Sequence, residues 1–463
     1  MSTRPTPQDL VERALQASTA DQTVVLVSVS TTANLRWANN TLTTNGMVDS
    51  MAATVISIVG SGSGSAAGVV SGNVGSLDQL LDVTAAADDA ARQSGPAPDA
   101  DDLAAGDAAS DWGEPPGKTS IEIFTGFAVG LGEAFGRARD ADRVLYGYVE
   151  HDMTTTYLGS STGLRLRHQQ PTGHVGITGK DASLTRSAWV GAATRDFGDV
   201  DALVLDAELH RRLSWADRHV DLPAGRYDTI LPPAAVADLQ IYAHWSAAAR
   251  DADDGRSVYS KPGGGTRVGE QMMKPGVRIL SDPAYPGLEC QPFVTAGASS
   301  AASSVFDNGL PVARTEWVSD GRLTALLQTR ESAGITDLAY TPGIDNLVLE
   351  IDGARGTIDD EIGRTERGLL LTCLWYIRAV DEQTLLLTGL TRDGVYLVEH
   401  GEVTAAVNNF RFNESPIDLL NRFGSATASA PTISREWGDY FSRTAMPALR
   451  IPDFNMSSVS QAS

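Results

Sequence analysis

The sequence predicts an α+β fold, with an N-terminal α/β domain and a larger C-terminal domain built mainly of strands. Three observations support this prediction. The 463-residue chain contains 45 glycines and only 6% aromatic residues, a composition typical of proteins rich in strands and turns. Strand-like segments precede a clear helix in the first 95 residues. Beyond a central helix, the remainder consists of short β-branched or Leu-rich runs separated by glycine turns.

The N-terminal elements follow from apolar periodicity and turn residues. Residues 8–18 are predicted as a helix because their apolar side chains fall on one face. The segment "QTVVLVSVSTTANLRWANNTLTTNG" is predicted as strands followed by a hairpin or loop at "ANNTLTTNG", and "AATVISIVG" as another strand. "LDQLLDVTAAADDAARQSG" is predicted as a helix that ends at Gly95. Residues 96–118 are rich in Pro, Asp, Ala and Gly, which predicts a linker and an N-terminal α+β domain at 1–118.

The rest of the chain divides into a middle region and a C-terminal domain. A helix and a strand meander are predicted for 119–230, and a β-rich domain for 231–463. This last domain is predicted to begin with a helix at about 234–250, which contains His244. A late helix, "SPIDLLNRFG", has Ser415 as its predicted N-cap.

Charge and cysteine content exclude several classes of protein. The net charge is −22, from 36 Lys and Arg against 58 Asp and Glu, so binding to nucleic acid or an anionic membrane surface is not expected. The two cysteines, Cys290 and Cys373, provide no disulfide framework. The chain shows neither a signal-peptide pattern nor a run of 18 apolar residues. We therefore expect a soluble cytoplasmic protein.

The histidines do not form a recognisable zinc motif. A zinc helix needs two imidazoles about one turn apart, and no two of the seven histidines lie three to five positions apart. His244 is therefore expected to be a solvated or core-edge residue. His168 and His174 lie six positions apart, which leaves open an enzyme with an unfamiliar ligand set that includes both.

Glycine-rich and nucleophile motifs are also missing. The segment "KPGGGTRVGE" lacks the spelling of a phosphate-binding or dinucleotide-binding loop and is predicted as a mobile loop. Neither cysteine has the polar or basic setting that lowers a thiol pKa.

Several segments together resemble the TldD/TldE family, also called PmbA or modulator-of-gyrase proteins. These segments are "LRWANNTLTTNG" (35–46), "TTTYLGSSTGLRLRHQQPTG" (154–173), the central helix with its following loop (227–270), "SSVFDNGLPVARTEWVSDGRLTALLQTRESA" (303–333) and the strands at 368–410. Their order covers nearly the whole chain. The resemblance implies a TldD/PmbA-like fold, although Asn308 stands within "FDNG" where the family more often has an acidic residue.

The resemblance also bears on catalysis. TldD-type members carry H-E-x-x-x-H on the central helix and a Cys near the C-terminus, and bind zinc. Aligned without gaps, the three motif positions fall here on Ile241, Tyr242 and Ser246. If His244 is instead taken as the first ligand, the other two positions hold Trp245 and Ala249, and residues 423–454 contain no cysteine. The resemblance therefore implies a TldE-like chain without catalytic residues, cofactor or metal of its own.

This assignment carries expectations about partners. TldE-type members pair with a zinc-binding TldD-type subunit in a heterodimeric peptidase, so we expect such a partner and a peptide substrate that enters as an extended strand. The pathway would be proteolysis of unfolded peptides or maturation of a peptide precursor. The alternative is a stand-alone homodimer that binds a peptide or natural product without hydrolysing it.

Overall fold

Three β-sheets with nine α-helices form the fold in the computed structural model, which describes residues 5–60 and 62–460. The helices are α1 (Pro7–Ala17), α2 (Leu77–Gln93), α3 (Thr125–Asp140), α4 (Ala202–Trp215), α5 (Pro233–Trp245), α6 (Ala249–Asp253), α7 (Arg330–Thr336), α8 (Ile358–Arg364) and α9 (Pro416–Arg422). The first six strands are β1 (Gln22–Ala38), β2 (Thr41–Val59), β3 (Ala66–Asn73), β4 (Arg143–Ser160), β5 (Arg165–Asp181) and β6 (Ser187–Thr194).

The remaining strands build the C-terminal part of the molecule. They are β7 (His219–Val220), β8 (Gly225–Leu231), β9 (Val277–Ser281), β10 (Thr315–Ser319), β11 (Arg322–Leu323), β12 (Leu347–Ile351), β13 (Arg367–Leu371), β14 (Leu374–Asp381), β15 (Leu386–Thr391), β16 (Val395–Glu399), β17 (Glu402–Val407), β18 (Phe410–Glu414), β19 (Ser425–Ala426), β20 (Ala430–Thr432), β21 (Thr444–Met446) and β22 (Leu449–Val459). The fold is mixed α and β with several sheets, which confirms the predicted fold class.

The N-terminal sheet is antiparallel, in the order β3-β2-β1-β4-β5-β6. Successive side chains of a strand point to opposite faces, so the two faces of β1 have different partners. Val25 and Val27 of β1 pack against α1 and α2, whereas Leu26 points to the other face. On that other face it joins a core with Phe293 and Phe306 from the C-terminal part. The N-terminal sheet is therefore fixed directly against the domain that carries α5.

The hairpin of β1 and β2 differs from the prediction. The predicted turn "ANNTLTTNG" is wrong in extent: the chain turns at Asn39 and Asn40 alone, both with positive φ of 50° and 56°. Asparagine tolerates this left-handed conformation, which suits a two-residue hairpin turn. The following polar residues are strand because they pair with β1, from Thr41 opposite Ala38 onward.

Residues 96–118 lie along the N-terminal sheet and contain no helix. Leu103 is buried in the core between the sheet and the C-terminal part, and Trp112 packs edge-on against Tyr157 with ring centroids 5.6 Å apart. The predicted boundaries at 118 and 230 stay predictions, and strands β1 and β4 pair across the first of them.

Two sheets form the C-terminal part. One has the order β14-β15-β18-β22-β8-β13-β16-β17-β7, with β19 beside β22, and the other has the order β11-β10-β9-β12-β21-β20. Their apolar faces and α5 share one core, to which Ile241 of α5, Leu349 of β12 and Leu371 of β13 all belong. Of the described helices, none is long and apolar enough to cross a membrane.

The central helix is shorter than predicted. A continuous helix over 234–250 is wrong, because α5 ends at Trp245 and α6 begins at Ala249. Between them, Leu327 N–H donates to Ala247 O and Ala249 N–H donates to Leu327 O, both at 2.9 Å. This bridge to a distant segment uses backbone groups that a continuous helix would need for itself.

Candidate functional site

Helix α5 is positioned by burial on nearly every side. Pro233 occupies its first turn, where a missing N–H costs no hydrogen bond. Apart from Asp238, Gln240 and His244, its buried residues are apolar, as expected for a helix enclosed between sheets. Beyond its first two residues, the helix approaches the surface only at Tyr242 and at Trp245, which is 41% exposed. The C-terminal end of α5 is therefore the part that can meet a ligand.

The positions that the resemblance aligns with the zinc motif carry structural side chains. Ile241 is fully buried in the C-terminal core. The Tyr242 hydroxyl accepts a hydrogen bond from Ala379 N–H at 3.1 Å. The Ser246 hydroxyl donates to the Tyr242 carbonyl at 2.9 Å. A hydrocarbon side chain and two engaged hydroxyls do not fit zinc, which takes imidazole, thiolate or carboxylate ligands.

His244 is the residue of α5 that reaches a cavity. Its ring lies against Trp317 and Phe441, at centroid distances of 5.2 Å and 6.0 Å. Within the described part of the chain, neither ring nitrogen has a hydrogen-bond partner. Burial lowers the pKa of His244 to about 4, so the imidazole is neutral at pH 7. A neutral imidazole offers one donor and one acceptor to a ligand.

A cleft of about 380 Å³ lies beside His244. It brings together the end of α5, the loop around Phe293 and the segment that contains Tyr440 and Phe441. Its walls combine aromatic rings with amide, hydroxyl and carboxyl groups, namely Trp245, Tyr340, Gln291, Thr295, Ser303, Ser304, Gln328, Asp307 and Asp345. Apolar walls with a few convergent polar groups are typical of ligand pockets.

One carboxylate of the cleft is already paired. Asp307 is buried, and the Arg330 guanidinium donates to it from Nε at 2.7 Å. Burial raises the pKa of Asp307, and the hydrogen bonds from Arg330 oppose this change. The neighbouring Asn308 donates to the carbonyls of Ala296 and Val305 at 2.9 and 2.8 Å, and accepts from Ala296 N–H at 2.7 Å. An ionised aspartate could not make the two donated bonds, which explains the amide in "FDNG".

Asp238 anchors the segment that closes the cleft. Its Oδ1 accepts from the Ser434 hydroxyl and, at 2.9 Å, from Glu436 N–H, while its backbone carbonyl accepts from the Trp437 indole at 2.8 Å. Its Oδ2 has no partner among the described residues. Complete burial raises the pKa of Asp238 to about 7. Through these bonds α5 holds the chain that leads to Tyr440.

Arg435 connects the same segment to two sheets. Its guanidinium lies between the rings of Trp189 and Trp375, 5.1 Å and 4.6 Å from their centroids. Trp189 belongs to β6 of the N-terminal sheet and Trp375 to β14 of the ten-stranded sheet. Cation–π contacts of this kind contribute about 0.5–2 kcal/mol each. Through Arg435 this segment therefore contacts both the N-terminal sheet and the ten-stranded sheet.

The other sequence candidates lie elsewhere. His168 and His174 both belong to β5, where six residues span about 20 Å, too far to share one metal ion. His168 bonds to Gln170 at 2.9 Å, and His174 lies 3.8 Å from Asp439. Across residues 5–60 and 62–460, no three His, Cys, Asp or Glu side chains are grouped as metal ligands.

Neither cysteine is set up as a nucleophile. Burial raises the pKa of Cys290 to about 11 and raises the pKa of Cys373 as well. A thiol with a raised pKa holds little of the reactive thiolate at pH 7.

Sequence reasoning missed Asp238 and Arg435. A signal for Asp238 was present, because a carboxylate inside an otherwise apolar helix is expected to have a dedicated partner. Arg435 had no such signal, since its aromatic partners are distant in sequence.

The comparisons with known proteins agree on one family. Residues 224–458 match the family model described as "PmbA/TldA metallopeptidase C-terminal domain", which is half of the chain. The chain belongs to the PmbA/TldD family. A comparison with curated protein sequences found no match.

Solved structures of similar fold extend the likeness to the whole chain. TldE from Thermococcus kodakarensis matches with a TM-score of 0.75 and 16% identity, over 97% of this chain and 99% of that one. A protein described as a candidate modulator of DNA gyrase from Thermotoga maritima matches with 0.75 and 15%, over the same shares. A similarly described protein from Bacteroides thetaiotaomicron matches with 0.73 and 14%, over 98% of both chains. At these identities the likeness concerns the fold, and it confirms the predicted TldD/PmbA-like architecture.

Proposed function

We propose that this chain is the non-catalytic, TldE-like subunit of a peptidase whose zinc is bound by a TldD-type partner. Such a complex would cleave unfolded peptides or mature a peptide precursor. The observation that carries the proposal is the chemistry at the end of α5. Where a zinc-binding relative needs two imidazoles and a general base, this family member has Ile241, Tyr242 and Ser246, each occupied in packing or internal hydrogen bonds.

The cleft supports a role in holding substrate. Its single imidazole, His244, is neutral and has no hydrogen-bond partner among the described residues. It can therefore donate one hydrogen bond to a peptide group and accept another. The aromatic walls would accommodate apolar side chains of the peptide. In this proposal the chain orients an extended peptide and contributes no nucleophile, base or metal to its hydrolysis.

An exposed aromatic surface near α5 supports a partner subunit. Trp245, Tyr376 and Tyr440 are 41%, 52% and 78% exposed, and the ring of Trp437 lies 5.4 Å from that of Trp245. Tryptophan and tyrosine are enriched at the energetic centres of protein interfaces. A TldD-type subunit that covers this surface would bring its zinc site next to the cleft.

The proposal is tested by reconstitution. The chain is assayed for cleavage of a denatured protein or a peptide library, alone and with a TldD-type subunit, with and without EDTA. We expect no cleavage by the chain alone and EDTA-sensitive cleavage by the mixture. The His244→Phe chain should raise KM in the mixture and leave assembly unchanged. EDTA-sensitive cleavage by this chain alone would contradict the proposal.

A second candidate function is a stand-alone homodimer that binds a peptide or natural product without hydrolysing it. The cleft favours it, because about 380 Å³ is enough for a small ligand or a few peptide side chains. Light scattering during size exclusion separates the two. A homodimer that persists when a TldD-type subunit is added favours the second candidate, and complete exchange into a heterodimer excludes it.

A further inference from the structure

The cleft at the end of α5 lies where two apolar cores meet. Phe293 belongs to the core between the N-terminal sheet and the C-terminal part, whereas Ile344 and Phe441 belong to the core around α5. Their exposed fractions are only 6%, 4% and 6%. The wall beside Phe293 is held by its backbone, since Val294 N–H donates to Leu310 O at 2.9 Å. The apolar walls of the cleft are therefore fixed parts of the fold.

Most polar side chains of these walls already have partners in the chain. Four of them donate hydrogen bonds of 2.6–3.0 Å: Gln291 to Phe293 O, Ser303 to Ala298 O, Ser304 to Asp99 and Gln328 to Thr336. The Tyr340 hydroxyl has no partner among the described residues, but it is closed off from solvent. A ligand therefore gains little from these polar groups.

The cleft also offers no free charge. None of the described residues that line it is a lysine or an arginine. Its two carboxylates are paired with arginines that lie outside the lining, Asp307 with Arg330 and Asp345 with Arg443. A carboxylate ligand would find no cation here, and an ammonium group would have to compete with an arginine. Because a buried charge without a partner is costly, the lining fits an uncharged ligand.

His244 is the polar group of the cleft that is left for a ligand. Its side chain is 8% exposed, and its ring nitrogens have no hydrogen-bond partner among the described residues. A neutral imidazole donates one hydrogen bond and accepts one, and a peptide backbone supplies both a C=O and an N–H. A buried polar group without a hydrogen bond costs free energy, so a ligand that satisfies His244 gains affinity.

We propose that this cleft is a subsite for one large apolar residue from the interior of a peptide, whose backbone bonds to His244. That the ligand is a peptide rests on the proposed function, whereas the preference for an uncharged residue rests on the walls. The side chain would lie among Phe293, Ile344 and Phe441. The volume of about 380 Å³ is enough for such a side chain with its adjoining backbone.

The first test measures binding to the unaltered chain alone. Pentapeptides with a central Phe, Leu, Glu or Lys between glycines, acetylated and amidated at their ends, are titrated by ligand-observed NMR. We expect the Phe and Leu peptides to bind about tenfold more tightly, or better, than the Glu and Lys peptides, because only they bury a large apolar side chain. The Phe peptide with a free amino or carboxyl terminus should bind no better than the capped one.

The second test places a charge in the wall. Ala302 is half-buried and lines the cleft. Ala302→Lys should weaken binding of the Phe peptide about tenfold and make the Glu peptide the best ligand, because the new cation can pair with its carboxylate. Ala301→Lys is the matched control, since Ala301 is also half-buried but does not line the cleft. It should leave the preference unchanged.

A third variant separates the polar contact from the apolar walls. His244→Phe keeps an aromatic ring and removes both nitrogens, so it should weaken all the capped peptides and keep the preference for Phe over Glu.

The outcomes distinguish this inference from the proposed function. No binding of the capped Phe peptide at millimolar concentration, or equal binding of the Glu peptide, overturns the subsite even if a mixture with a TldD-type subunit cleaves peptides. Tighter binding through a free terminus, or an equal effect of Ala301→Lys and Ala302→Lys, overturns it as well. Selective binding by the chain without cleavage by the mixture supports the subsite and contradicts the proposed function.

Discussion

Asp238→Asn should remove a large pH dependence of stability. Complete burial raises the pKa of Asp238 from 3.8 to about 7 in the folded chain. Below about pH 4 the carboxyl is protonated in both states and contributes no pH dependence. Between about pH 4 and pH 7 the unfolded chain releases the proton while the folded chain keeps it, so the free energy of unfolding falls as pH rises.

The magnitude follows from the difference between the two pKa values. About three pH units at 1.36 kcal/mol each correspond to about 4 kcal/mol, fully developed above about pH 7. Asparagine does not titrate and keeps an oxygen that accepts from Ser434 and Glu436. As pH rises from 4 to 8, the free energy of unfolding of the unaltered chain should therefore fall by about 4 kcal/mol relative to that of Asp238→Asn.

The assay is urea unfolding of both chains at several pH values, followed by tryptophan fluorescence. Asp82→Asn is the control, since Asp82 lies on the exposed side of α2. Its stability difference from the unaltered chain should vary little with pH. A flat difference for Asp238→Asn over the same range would refute the account of its burial.

Three further substitutions have defined outcomes. His244→Phe should improve stability in acid. The pKa of His244 is lowered to about 4, so the free energy of unfolding of the unaltered chain should fall by about 3 kcal/mol as pH falls from 6.5 to 4. Urea unfolding of both chains at these two pH values checks this. Asn308→Asp should cost about 2–4 kcal/mol by burying a charge and losing two donated hydrogen bonds, measured as a lower urea midpoint; a loss below 0.5 kcal/mol would contradict it. Arg435→Met should loosen the segment before Tyr440, which faster proteolysis there would reveal, with Arg355→Met, an exposed arginine, as the control.

The fold class and several elements could be predicted because their signals are local. Helices α1 and α2 have amphipathic patterns with caps at Thr6 and Ser76, and α9 begins after Ser415 as expected. The whole-chain resemblance supplied the architecture of the sheets, which no local pattern contains. The family match and the similar structures confirm it.

The elements predicted wrongly depend on distant partners. The polar residues after Thr41 are strand only because β1 lies beside them. The break between α5 and α6 depends on Leu327, about eighty residues away along the chain, whose backbone bonds to both sides of the break. Neither contact leaves a trace in the local sequence.

The candidate site divides in the same way. The absence of ligands at Ile241, Tyr242 and Ser246 is visible in the sequence once the family is recognised. What those positions do in the fold is not visible in the sequence. Tyr242 bonds to a strand residue 137 positions away, and Asp238 accepts a hydrogen bond from Ser434, 196 positions away. The cleft itself needs the fold, since its walls come from segments between His244 and Phe441.

Zinc content of the purified chain tests the central claim most directly. The chain is expressed alone, dialysed against micromolar zinc, and measured by atomic emission together with a TldD-type subunit as the positive control. The account predicts well below 0.1 zinc per chain for this protein, since a lone imidazole cannot hold the ion, and about one for the control. A stoichiometric zinc ion that His244→Phe removes would contradict the account.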